Sequence, residues 1–261
     1  FFAQGGRKCY VVRVGDPWPY DERIDAPDEG ARRAERMQER LDDLLPGYPN
    51  PITASPIDRA SWHGVGHLFG LPDVSYLCLP DLADIVRADA TVVKAPPSLP
   101  QGEEQFVECS EPASAAQKDP PARLLQGPRC DDAGYAIWAQ ALHRCAELVA
   151  YRQREVQLLA AVPLPAMGTR AADDLLAFLV DDGNGPLARP VLLDGLPAGE
   201  TNALSSAFVQ LVYPWVSTPG AGRLPDQLET PDGVLAGLLA RNALTRGTFR
   251  SAADMHLGDV Y

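Results

Sequence analysis

Apolar residues fall along this chain in two kinds of run. Residues 8–15 (KCYVVRVG), 74–79, 155–162 and about 207–213 are short and β-branched or continuously apolar, which predicts strands. Between them the apolar positions recur at helical spacing. Ala34, Met37, Leu41, Leu44 and Leu45 mark a helix over 29–45, ended by Pro46-Gly47. Tyr135, Trp138, Ala141, Leu142, Cys145, Leu148 and Val149 form the most continuous stripe, and Asp131-Asp132 before it suit a helix N-terminus. A helix over 169–180 with Thr169 as its cap, and another from about Asp232, complete the set. The segment 62–69 predicts a short helix holding two glycines.

Strands alternating with long helices predict an α/β fold: a three-layer sandwich with a parallel or mixed central sheet between helices. The continuous apolarity of 74–79 is expected of a strand covered on both faces. One stretch breaks the alternation. Residues 85–130 carry Pro96, Pro97, Pro100, Pro112, Pro120, Pro121 and Pro128 with few large apolar residues, and only EQFVEC (104–109) suggests a strand. This predicts a Pro-rich inserted surface segment or long connection. The organisation is therefore 1–84 and 131–261 as two parts of one α/β domain, with 85–130 between them. No internal repeat is visible.

Charge narrows the partners. The net charge is −12 over 261 residues, which argues against nucleic acid. Arg32, Arg33, Arg36 and Arg40 do cluster, but acidic residues are interleaved with them, as on a solvated helix face. No apolar run approaches the about 20 residues of a membrane helix. The five cysteines include no CxxC pair and read as reduced thiols, with Cys9, Cys78 and Cys145 expected as buried small hydrophobes.

Candidate chemistry is sparse. His63 and His67 are four apart, but HGVGH lacks the glutamate of HExxH. His143 and Cys145 sit two apart on a helix and point to different faces. There is no GxSxG elbow, no GxGxxG and no GxxxxGK[ST]. The carboxylate pairs Asp131-Asp132, Asp173-Asp174 and Asp181-Asp182 read as caps or loop residues. No catalytic, cofactor-binding or metal-binding residue is assigned, and the expectation is a protein that is not an enzyme. The alternative is a hydrolase-like α/β enzyme working through His63 or His67.

The ordered blocks FFAQGGRKCYVVRV, GLPDVSYLCLPD, LLAAVPLP, SSAFVQLVYPWV and PDGVLAGLLARNALTRGTFRSAAD carry more information than any single motif. Taken in that order, the series resembles the sheath proteins of contractile phage tails and of phage-tail-like contractile injection systems. The matching positions are Phe1, Phe2, Gly5, Gly6, Cys9, Tyr10, Val11, Val12, Arg13 and Val14, then Tyr213-Pro214-Trp215. Pro231-Asp232-Gly233, Ala236-Gly237, Ala240-Arg241 and Arg246-Gly247 follow. Asp232 stands where the family has Ser, Asn242-Ala243 where Thr-Asp is common, and RSAAD replaces a lysine-containing stretch. Residues 85–130 match nothing in the pattern.

The resemblance implies the central, subtilisin-like α/β domain of a sheath subunit, without protease function. It implies a chain that continues past both ends, with arms that add strands to neighbouring subunits. Its implied partners are other sheath subunits in a helical or ring-stacked assembly, an inner tube protein and a baseplate. No nucleic acid, cofactor or membrane contact is implied, and the place is a virion tail, the bacterial cytoplasm during assembly, or the exterior if particles are released. Contraction would drive the tube through a target envelope. An adaptor or baseplate component of the same machine is the further alternative. Arg241 and Arg246 are the candidate intersubunit residues, to pair with acidic groups of a neighbour or of the tube. Otherwise they are ordinary cations near a helix C-terminus.

Overall fold

The computed structural model describes residues 1–14, 29–88, 127–166, 172–181, 184–188, 206–258 and 260. In chain order the elements are α1 (Glu29–Leu44), β1 (Tyr76–Cys78), α2 (Leu82–Ile85), β2 (Arg129–Cys130), α3 (Asp132–Arg152), β3 (Gln157–Ala161), β4 (Leu164–Pro165), α4 (Ala172–Val180), β5 (Val209–Val212) and α5 (Asp232–Arg246). Short 3-10 turns lie at Phe2–Gln4, Arg59–Ser61, Gly64–Gly70, Pro219–Arg223 and Pro225–Gln227. Among the described residues the class is mixed α/β with two small parallel sheets. One has the order β1-β3-β5, and the other pairs β2 with β4.

The centre is α3 against β3. Asp131 caps α3, its side chain accepting from the Gly134 N–H at 2.8 Å, and Asp132 and Arg152 oppose the helix dipole at the two ends. Trp138, Ala141, Leu142, Cys145 and Val149 are fully buried. β3 lies between two parallel neighbours, with Leu158 opposite both Leu77 and Val209, so its apolar run is buried along its length. Past its end the carbonyls of Val162 and Pro163 are not left bare. The Trp215 indole donates to the first at 2.9 Å and the Tyr135 hydroxyl to the second at 2.8 Å.

α3 also grips the irregular stretch after α1. Gln140 accepts from the Tyr48 hydroxyl, Arg144 donates to the Pro49 carbonyl at 2.7 Å, and Arg152 donates to the Ala54 carbonyl at 2.9 Å. Polar side chains on a core helix thus satisfy backbone that has no ladder of its own. α1 ends as expected at Pro46-Gly47, where Gly47 takes a φ of +96° and its N–H donates to Asp42.

Several expectations change. The run 8–14 belongs to no strand. It has no regular secondary structure and is mostly exposed, with Val11 at 88%. β-branched residues favour a strand only where a neighbour supplies the ladder, and none of the described residues does so here. Cys9 is exposed with it, whereas Cys130, unremarked in the sequence, is fully buried. β1 is shorter than 74–79 and only half-buried; among the described residues it is an edge strand with β3 on one side alone. The 62–69 helix is a 3-10 turn over Gly64–Gly70, a form suited to a glycine-rich run too short for α-helical cooperativity.

The flanks of the Pro-rich stretch are well held. α2 spans the 84/85 boundary and Val86 is buried. At the other flank β2 pairs with β4, and Asp226 accepts from the Gly127 N–H and pairs with Arg129 at 3.2 Å. Residues 89–126, with EQFVEC and Cys109, lie outside the described residues, as do 15–28 and Thr169.

Candidate functional site: the two poles of the last helix

α5 packs against β1, β3 and the Phe2–Gln4 turn. It comes this close because Gly237 faces the Phe1 carbonyl. A Cβ there would lie 2.3 Å from that oxygen. Gly5, at φ +106°, seats the Arg241 stem. Gln4 is buried, and its amide makes a two-way clasp with Gly258, donating to the carbonyl at 2.6 Å and accepting from the N–H at 3.2 Å.

This locates the two predicted interface residues. Arg241 is half-buried and donates to the His256 carbonyl at 2.6 Å, so it is committed to holding the last described segment on α5. Arg246 is exposed in the last turn, before Gly247 at φ +92°. Beyond it the chain turns back. Asn242 is buried and donates to the Arg250 carbonyl at 2.6 Å, which holds the turn against the helix. The turn displays Phe249, 83% exposed, with the Arg250 guanidinium 5.7 Å from its ring centroid.

At the opposite pole, between the end of β1 and the start of α5, lies a cavity of about 170 Å³. Phe1, Cys78, Pro80, Glu229, Thr230, Asp232, Gly233 and Val234 line it. Asp232 is only 1% exposed. Its Oδ1 accepts from the Gly233 N–H at 2.9 Å, and its Oδ2 has no hydrogen-bond partner. Burial, with a contribution from nearby Asp81, raises its pKa above the usual carboxylate range, while Thr230 and the Gly233 amide act the other way. Burial pushes the Cys78 thiol up to about 12, so it is a thiol and not a nucleophilic thiolate.

The histidines do not converge. His63 and His256 are exposed, His67 is half-buried, and His143 is inside the core with Nε2 unpartnered. Burial, then the Arg144 charge, lowers the His143 pKa to about 4, so it is neutral at pH 7. Among the described residues no three His, Cys, Asp or Glu side chains are grouped to hold a metal, and no helix is long and apolar enough to cross a membrane. Asp131 is a cap, as expected. Phe249 and Gln4 were not singled out in the sequence, and Asp232 was marked there as a helix start and a departure from the family's Ser but not as a buried group. The only signal for them is an aromatic following RG and an acid directly after a proline at a helix start.

The exposed segment 7–14 is itself pinned at Asp73. Lys8 forms an ion pair with Asp73, and the Tyr10 hydroxyl donates to the same carboxylate at 3.0 Å. The Lys8 ammonium also lies 4.6 Å from the Tyr10 ring centroid. Asp73 leads into β1, so the apolar run is held near the start of a strand that has one neighbour among the described residues.

No family model, no curated protein and no solved structure matches the chain.

Proposed function

We propose that this chain is the central α/β domain of a contractile tail-sheath subunit, a structural protein and not an enzyme. The observation that carries the proposal is the segment 7–14, where Tyr10, Val11 and Val12 stand exposed beside edge strand β1. Such an edge is an aggregation hazard in a monomer and a joint in a polymer. An added strand from a neighbouring copy would cover it by β-augmentation. In this proposal the sheet is the middle of three layers, and 85–130 is an elaboration of the outer surface.

The subunits pack head-to-tail around an inner tube, down to a baseplate, in a virion tail or an injection particle. Contraction is a rigid-body change between two packings, with the strand joints retained as hinges. The extended lattice is the higher in free energy, so no nucleotide is required. Electron microscopy of the full-length gene product tests this. Long striated cylinders are expected; discrete small particles at all concentrations would overturn it.

A further inference from the structure

The two poles of α5 are chemically complementary. At the C-terminal pole stand Leu244, Arg246, Phe249 and Arg250, all exposed. They form a basic, aromatic knob on a turn that Asn242 fixes to the helix. At the N-terminal pole the cavity has an apolar wall of Phe1, Pro80 and Val234 and an acidic side of Glu229 and Asp232. Asp81, next to Pro80, acts on Asp232 with the same sign. The poles are separated by the 15 residues of α5, about 22 Å at 1.5 Å per residue, so one copy cannot fill its own cavity.

We propose that the knob of one copy docks in the α5 N-terminal cavity of the next. Phe249 enters between Phe1, Pro80 and Val234, and Arg246 and Arg250 meet Glu229 and Asp81 at the rim, near the buried Asp232. Size permits this, since a cavity of about 150 Å³ can take up benzene and this one is about 170 Å³. Charge favours it in a chain of net charge −12, where like copies otherwise repel and the pairing of two cations with acidic groups locally offsets that repulsion. Aromatic and Arg side chains are also the residues that dominate binding at interface centres. The buried Asp232 carboxylate, whose Oδ2 lacks a partner, gains a cation nearby. Because the two surfaces differ, the contact is heterologous and propagates as a row and not as a closed dimer.

This inference rests on the polymer reading above and adds a second joint to it, distinct from the strand edge. The test uses the chain at increasing concentration, with self-association followed by sedimentation. Arg250→Glu and Glu229→Lys should each weaken association about tenfold, and the double variant should restore it, as expected of directly coupled sites. Phe249→Ala should weaken it at least as much. A diazirine amino acid at position 248, beside an intact Phe249, should cross-link to 78–80 or 229–234 of a second, isotopically distinct copy and give a ladder of oligomers. Strictly additive charge variants, cross-links elsewhere, dimers alone, or no association at millimolar concentration would overturn the proposed joint. Cylinders of full-length protein that persist in Phe249→Ala and Arg250→Glu would remove the joint and leave the sheath reading standing. Absence of cylinders from the unaltered full-length protein would remove that reading.

Discussion

Two apolar runs in this chain look alike as sequence and end in opposite surroundings. β3, read from QLLAA, is buried along nearly its whole length between β1 and β5. CYVV at 9–12 is at least as rich in β-forming residues, yet it lies exposed and unladdered. Side-chain preference is the same in kind, so it does not decide the outcome. Hydrogen-bonding neighbours and a covering helix do. β3 has two strands and α3, while 7–14 is held at Asp73 by side chains and not by a ladder among the described residues. A strand is a property of a sheet, and a run that is strand-like but alone marks where the sheet is open.

The largest expected contrast is between core and rim truncations. Leu142→Ala, on the fully buried face of α3, should cost about 3 kcal/mol in urea unfolding by loss of burial plus a cavity. Val11→Ala should change the stability of the same chain by less than about 0.5 kcal/mol. Comparable losses at both positions would mean that 7–14 is packed in solution and would break the comparison.

A buried neutral histidine should make the centre acid-sensitive. His143 has a folded pKa near 4, below its ordinary value, so the unfolded chain binds the extra proton first as pH falls. Its contribution is complete above about pH 6.5 and is lost progressively towards pH 4, amounting to about 3 kcal/mol. Unfolding free energies measured from pH 7 to 4.5 should fall more steeply for the unaltered chain than for His143→Gln. Parallel slopes would contradict the placement of His143 in the core.

The clasp between the first and last described segments is smaller. Gln4→Ala removes both hydrogen bonds to Gly258 and should cost about 1 kcal/mol, since exposed Gly258 recovers water. Hydrogen exchange should speed up at 256–258 before it changes in α3. Arg241→Glu should act similarly through loss of its bond to the His256 carbonyl, lowering local protection before any effect on association.

Much of the fold is legible in the sequence, and the reasons are local. α1, α3 and α5 carry their periodicity and their terminal signals in neighbouring residues, so their positions can be read directly. The parallel sheet follows from strands separated by helices. Edge and centre are not legible, because KCYVVRV and QLLAA differ in partners supplied from far along the chain. The β2–β4 pair is two residues long on each side and leaves no pattern. The candidate site was half visible. Arg246 stood out as a terminal cation, but its neighbours in the knob depend on the turn that Asn242 ties back. The cavity is assembled from Phe1, Cys78 and Asp232, which only the fold brings together.

The central claim is that the open edge at 7–14 is completed by another copy. Hydrogen exchange at the amides of residues 8–14 tests it most directly, measured in the isolated chain and in the assembled full-length protein. The account predicts rapid exchange in isolation and slowing by at least a hundredfold on assembly, while the amides of β3 stay protected in both. Rapid exchange at 8–14 in both states, or full protection in the isolated chain, would contradict it.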